Sequence, residues 1–432
     1  MKKAIYWFTT DLRLHDNSLL VKAIEESGLL FPVYCLDPKH YAVTNYGFKK
    51  IGNFRAKFLL ESLADLDQSL RKIGSGLIIL KGNPADELAK FAQENKIEKI
   101  YAKEEVAYEE ILTQQKVKKA INSLNCELET ANNSTLYQAE DLPFSVDKIP
   151  DNFTNFRHKV EKSSFIRNLV KIPTKINSPL IPAINLPTLE DFGLQEPTID
   201  PRTAFNFVGG QTEALKRLNY YLFETKSITT YKKTRNGLIG ESFSSKFSAW
   251  LSLGCLSPVT IYQEIKKFEL EYTANESTYW LIFELIWRDF YRFMFKKHKQ
   301  LYFGLNGINN KPNQLTINNN FKLVEMWMNG KTKDKFIDAN MTELNQTGFM
   351  SNRGRQNVAS YFCHNLKLDW RIGAAYFEQQ LLDYDVCNNW GNWAYIAGVG
   401  NDPRESRVFN TIKQANNYDA NQEYRKLWLN QQ

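Results

Sequence analysis

Four short stretches hold most of the side chains in this chain that could do chemistry. In the first, Glu284, Trp287, Arg288 and Tyr291 follow Trp280 at offsets of 4, 7, 8 and 11, so at helical spacing all five share one face. Leu281, Ile282, Leu285 and Ile286 supply a separate apolar face. A core stripe with a Glu284–Arg288 ion pair is one reading of such a helix. A carboxylate and rings aimed at a ligand is the other, and the second apolar face favours it. In the stretch 348–357, Asn352 and Arg355 point together while Arg353 points about 100° away. Two different anionic partners would suit this run, as would an exposed basic turn. The stretch 383–393 holds Asp383 and Asp385, three Asn and two Trp. It is poor helix and poor core material, because buried polar groups need partners, and we expect a functional turn. The fourth group combines the basic run 231–237 with hydroxyls at Ser244, Ser245 and Ser248, ahead of a helix starting at Pro258. Hydroxyls and N–H groups at helix starts suit phosphates, although any single Ser could be a plain cap.

Composition narrows the chemistry. The chain has 432 residues and only 5 His (His15, His40, His158, His298, His364), so a mechanism built on several histidines is excluded. Its 5 Cys form no C-x-x-C pair, which argues against a thiolate metal site or a disulfide framework and for a reducing, cytoplasmic setting. No metal is expected. No apolar run approaches the roughly 18 residues of a membrane span, and the short run behind Met1 is no signal-peptide core. Charge is uneven: residues 1–200 hold 26 Lys+Arg against 27 Asp+Glu, net −1, and residues 201–432 hold 29 against 21, net +8. The second half is the better candidate for a polyanion partner, a solvated basic surface being the alternative.

The elements that must position these groups fall into three regions. In 1–130, β-rich runs at 4–8, 29–36, 77–80 and 100–102 alternate with helical segments at 53–73 and 84–95. This βαβ pattern predicts a doubly wound α/β domain with a parallel sheet, whose ligand clefts lie at the strands' carboxyl ends. No G-x-G-x-x-G follows the first strand. Residues 131–201 hold 8 of the 14 Pro and read as an interdomain connector. Residues 202–432 carry helical periodicity and 8 of the 9 Trp, predicting an all-α domain.

Taken together, the run 7–17 (Trp7-Phe8-Thr9-Thr10-Asp11-Leu12-Arg13 onward), the run 284–292 (Glu284-Leu285-Ile286-Trp287-Arg288-Asp289 onward) and 383–393 resemble the DNA photolyase/cryptochrome family. The runs 230–237, 348–357 and 398–405 are similar specifically to its cryptochrome-DASH branch. The resemblance spans essentially the whole chain. It implies an N-terminal antenna domain and a helical domain enclosing FAD, in which light moves an electron from reduced flavin to a cyclobutane pyrimidine dimer and back. Such chemistry needs no acid or base triad; the protein positions the flavin and tunes its charge.

Carried over by motif, Tyr231, Ser244, Ser245, Lys246, Phe247 and Ser248 would hold the FAD phosphates and ribityl chain, with Arg288 as an added cation. Asn352 belongs to the same cofactor set. Asp383 and Arg355 resemble the ion pair beside the flavin ring, Asp385 the carboxylate near its edge, and Asn389 the residue facing flavin N5, where an amide cannot readily supply a proton. Glu284 would hydrogen-bond the dimer bases and Trp287 would stack on them. Arg235, Arg353 and Arg407 would contact phosphates, and Gln356 stands where duplex-repairing relatives usually have Met. Trp393 and Trp370 match the inner two of three electron-carrying Trp; Ile317 stands at the outer position, so either slow photoreduction or a detour through a residue such as Trp327 or Tyr302 is expected. The antenna, 5,10-methenyltetrahydrofolate, would use Glu109 or Glu110, and the segment 153–157 resembles another stretch of the DASH branch. The resemblance implies repair of pyrimidine dimers, preferentially in single-stranded DNA, by a monomer. The alternative is a blue-light receptor that binds DNA without repairing it. With Glu284, Trp287 and Asn389 present and no output tail beyond Gln432, repair is the expectation.

Overall fold

The computed structural model describes residues 2–308, 320–401 and 407–429. Five strands, β1 (Lys3–Phe8), β2 (Leu29–Leu36), β3 (Ile78–Lys81), β4 (Lys99–Lys103) and β5 (Glu127–Ala131), form one parallel sheet in the order β3-β2-β1-β4-β5. The helices α1 (Ser18–Glu26), α2 (Asn53–Arg71), α3 (Pro84–Asn95) and α4 (Tyr108–Asn122) connect them. β1 and β2 read as nearly unbroken apolar runs because both faces of the sheet are covered. Ile5 and Trp7 face the α3/α4 layer, while Ala4, Tyr6 and Phe8 join the larger core that continues into the helical region.

Sequence periodicity did not reveal β5, α1 or α4. β5 is an edge strand of sequence ELETA with no fully buried residue, so it lacks the apolar signature of the central strands. The strands and helices that were expected lie where predicted, with ends displaced by a residue or two, as for β3 and α2.

The Pro-rich stretch after β5 is not a bare linker. It contains α5 (Phe153–Ser163), which buries Phe153, Phe156 and Val160. Then follow α6 (Gln211–Asn219), α7 (Tyr231–Thr234), α8 (Ser248–Ser252), α9 (Pro258–Glu271) and α10 (Glu276–His298). Beyond them lie α11 (Phe321–Met328), α12 (Lys335–Thr347), α13 (Asn352–Ser360), α14 (Trp370–Gln380), α15 (Val386–Ile396), α16 (Thr411–Tyr418) and α17 (Glu423–Leu429). Among the described residues no helix is long and apolar enough to cross a membrane, and no cluster of His, Cys, Asp and Glu could hold a metal ion.

Buried polar side chains lock the regions together. Asp289 on α10 accepts the N–H groups of Leu136 (2.9 Å) and Tyr137 (2.8 Å). Arg13, just past β1, donates to the carbonyls of His15, Asp16, Asn133 and Gly254. Gly254 has φ +66, and a Cβ there would lie 2.3 Å from the Thr10 carbonyl oxygen, so the close approach requires glycine. Burial, with Arg13 alongside, lowers His15 to about 3, so it stays neutral within this joint.

Candidate functional site

α13, α14 and α15 border a partly open cavity, onto which Asn352, Arg355, Asp383, Asp385, Asn389 and Trp393 all face. These were expected to act together, and the structure brings them together. Arg355 donates to Asp383 (2.9 Å), whose second oxygen is buried without a partner. The expected turn at 383–393 is a turn only as far as Asp385; α15 begins at Val386. Asp385 caps that helix, accepting the Asn388 N–H (2.8 Å) and side-chain amide (2.7 Å), and Asn392 donates to the Asn388 carbonyl (2.8 Å). The run that looked like poor helix material thus satisfies its own polar groups. Burial alone would raise Asp385, but Arg288, the Asn388 N–H and Arg292 outweigh it and hold the carboxyl below its usual value. Asn389 donates to the Ala374 carbonyl (2.9 Å), which fixes the orientation of its amide.

Of the two expected Trp, Trp393 lines the cavity and Trp370 does not. Trp393 lies on Gly373, where a Cβ would approach its ring to 2.3 Å, and meets Phe377 (5.1 Å) and Trp327 (6.1 Å). Trp370 donates to the Leu305 carbonyl (3.1 Å) and meets Trp390 (5.7 Å), three residues before Trp393 on α15. Tyr302 is stacked on Phe295. Ile317 lies outside the described residues, as do positions 402–405 of the last DASH-like run.

The segment 244–248 borders this region through Lys246. It is 2% exposed, in a left-handed conformation (φ +64), between the rings of Phe243 (3.2 Å) and Phe349 (4.7 Å). Its ammonium has no hydrogen-bond partner. Burial pulls its pKa well below the usual value, against the attraction of Glu343. Arg217 lies close by, holding the Ser245 (3.1 Å) and Glu241 (2.9 Å) carbonyls with one nitrogen unpartnered. Glu343 is pushed up to about 7 by burial, and the Tyr424 hydroxyl donates to it (2.6 Å). Sequence reading missed Arg217, Glu343 and Tyr424, which no motif links to Lys246. Tyr231 and Phe247 place their rings in the core, Ser245 is buried, Ser244 is half-buried and Ser248 is exposed.

On α10 the two faces separate as expected for four of the five residues, while Tyr291 is buried in the core. Leu281, Ile282, Leu285 and Ile286 are buried, and Trp280, Glu284, Trp287 and Arg288 are half-buried. The Glu284–Arg288 pair does not form. Glu284 instead accepts from Arg235 (2.7 Å) and Trp280 (3.1 Å), while Arg288 donates to the carbonyls of Ser134 and Leu251 (3.1 Å) and faces Asp385 electrostatically. Burial raises the Glu284 carboxyl against the pull of Arg235. Trp287 stacks on Phe153 and meets Tyr395 edge-on at 6.3 Å. Tyr395, which sequence reading missed, lines the cavity and carries Arg407 over its ring (4.4 Å). Arg353 points away from Arg355 as its spacing predicted, but its partners are neutral: Gln356 (3.0 Å) and Asn236 (3.0 Å). At the sheet, Glu109 pairs with Lys50, and Glu110 is raised to about 7 by burial and by Glu105. Glu105 accepts from Thr9 (3.0 Å) and the buried Lys103 (2.8 Å) at the carboxyl ends of β1 and β4.

Comparison with known proteins agrees with this architecture. Residues 4–176 match the family model described as DNA photolyase, and residues 280–432 the one described as FAD binding domain of DNA photolyase. Cryptochrome DASH of Danio rerio is 46% identical over 424 residues, covering 97% of this chain and 81% of that protein. The crystal structure of a Synechocystis cryptochrome superposes with a TM-score of 0.95 at 43% identity, covering 100% of this chain and 89% of the other. An archaeal photolyase of Sulfolobus tokodaii, solved with two FAD molecules, gives 0.79 at 27% identity, covering 99% and 90%. The chain belongs to the DNA photolyase/cryptochrome family, in its cryptochrome-DASH branch.

FAD is the cofactor this membership supports, and the residues present fit it. A diphosphate would supply the acceptors that the Lys246 ammonium and one nitrogen of Arg217 lack, and a flavin ring N–H would supply the donor that Asp383 Oδ1 lacks.

Proposed function

We propose that this chain uses blue light to repair cyclobutane pyrimidine dimers, preferentially in single-stranded DNA. The observation that carries the reading is the meeting of two sets of residues: a flavin-fitting cavity with Asn389 inside it, and beside its Tyr395 wall the Glu284–Trp287 face of α10. Reduced FAD, when bound and excited, supplies the electron that splits the dimer and takes it back.

The remaining work falls to this chain's own groups. Arg355 and Asp383 hold the ring region, Asn352 completes that wall, and Asp385, kept ionised, faces the ribityl side with Arg288 as its counter-charge. Lys246, Arg217 and the hydroxyls of Ser244, Ser245 and Ser248 take the phosphates. Asn389 presents an amide and no acidic proton to the ring. Glu284, its carboxyl raised above the usual value by burial against the pull of Arg235, hydrogen-bonds the extruded bases, and Trp287 stacks on them. Arg235, Arg353, Arg407 and Gln356 contact the strand from the rim, and extrusion costs least where pairing is already absent. Trp393 and Trp370 relay electrons from outside. We place 5,10-methenyltetrahydrofolate near Glu109 and Glu110 as the antenna and take the protein to act as a monomer in the cytoplasm.

The test is Trp287→Ala in the flavin-loaded protein. Light-driven repair of a thymine dimer in a single strand should fall at least tenfold while flavin content stays at the wild-type level. Undiminished repair would contradict the reading. Absence of repair by the wild-type protein would leave the receptor alternative in its place.

A further inference from the structure

We infer that Phe153, contributed by the Pro-rich connector, is a positioning residue for lesion recognition: it backs the Trp287 indole on one side and leaves it one face for an extruded pyrimidine. This rests on the reading of the pocket given above. The two rings lie parallel, with centroids 3.6 Å apart and planes 10° from each other. Phe153 is itself clamped. It is 6% exposed, with Phe283 at 5.2 Å and Phe290 at 5.6 Å both meeting it edge-on, and Asn152 caps the first turn of α5 through the Asn155 N–H (3.2 Å). Trp287, by contrast, is half-buried, and among the described residues Phe153 is the one ring lying flat against it.

A side chain that wedges between stacked bases needs both of its faces. With one face occupied by Phe153, Trp287 can receive a base that has left its stack but cannot insert between two that remain stacked. The backing ring thereby works toward two ends. It holds the indole plane in place before the lesion arrives, so that little freedom is lost on binding, and it denies Trp287 to intact duplex. The connector is in this way part of the recognition apparatus.

The experiment measures binding in the dark, with the flavin-loaded protein and fluorescent oligothymidylates that carry or lack one central dimer. Phe153→Leu keeps an apolar side chain in the pocket and loses the plane; Phe153→Tyr keeps the plane. Phe153→Leu should reduce the ratio of dimer to undamaged affinity about fivefold, leave undamaged affinity unchanged, and be rescued by Phe153→Tyr. In a Trp287→Ala background, Phe153→Leu should change nothing further. An unchanged ratio in Phe153→Leu, or an equal loss in the Trp287→Ala background, would reduce Phe153 to a core residue and overturn the inference. A wild-type protein with no preference for the dimer strand would instead overturn the reading of the pocket, and this inference with it.

Discussion

The cavity and its rim handle charge in opposite ways. Inside, Asp383 is locked to Arg355, Asp385 is set against Arg288 and the start of α15, and Lys246 is sealed between two rings. On the rim, Arg353 rests on two neutral amides, Arg407 lies over Tyr395, and Arg235 holds a half-buried carboxylate. Buried charges without fixed partners are costly, so the interior suits a group that stays. Arginines on neutral or partly exposed partners can exchange them for phosphates at little cost, so the rim suits a strand that comes and goes.

Breaking the interior should have the largest effect. Asp383→Ala leaves Arg355 without its counter-charge and should cost about 3 kcal/mol of stability and most of the bound flavin. Thermal unfolding and visible absorbance check this; full flavin retention would show that the pair is not essential to the cavity.

Next comes pH. Glu343 binds its proton more tightly in the folded chain, near 7, than in the unfolded one, so folding is most favoured below the ordinary carboxylate range and loses stability as pH rises toward 7. Glu343→Gln should flatten that decline, by roughly 2 kcal/mol between pH 5 and 8, as read by denaturant unfolding. An unchanged slope would place the titration elsewhere.

The smallest effects belong to the rim. Arg235→Gln and Arg353→Gln should each weaken binding to undamaged single strands while flattening the dependence of log affinity on log salt by about 0.7. If either leaves the slope unaltered, that arginine is a structural tie and the contrast with the interior narrows.

The same contrast governs how much could be read from sequence. β1, β2, α3 and the two-faced α10 announce themselves because each buries a continuous apolar run or stripe. Asp383, Asp385 and Arg355 stood out because unusual polar residues crowd short stretches. What stayed hidden depends on partners distant in sequence: Arg217, Glu343 and Tyr424 around Lys246, Phe153 behind Trp287, and Arg235 rather than Arg288 beside Glu284. Local spacing also misjudged α15, because capping by Asp385 and the Asn388–Asn392 link satisfy groups that composition alone leaves exposed.

The most direct test of the central claim is repair itself. The purified protein with reduced flavin, under blue light, is given the same thymine dimer in a single strand and in a duplex. Dimer loss should be rapid in the single strand and much slower in the duplex; equal rates in the two, or no loss from either, would contradict the account.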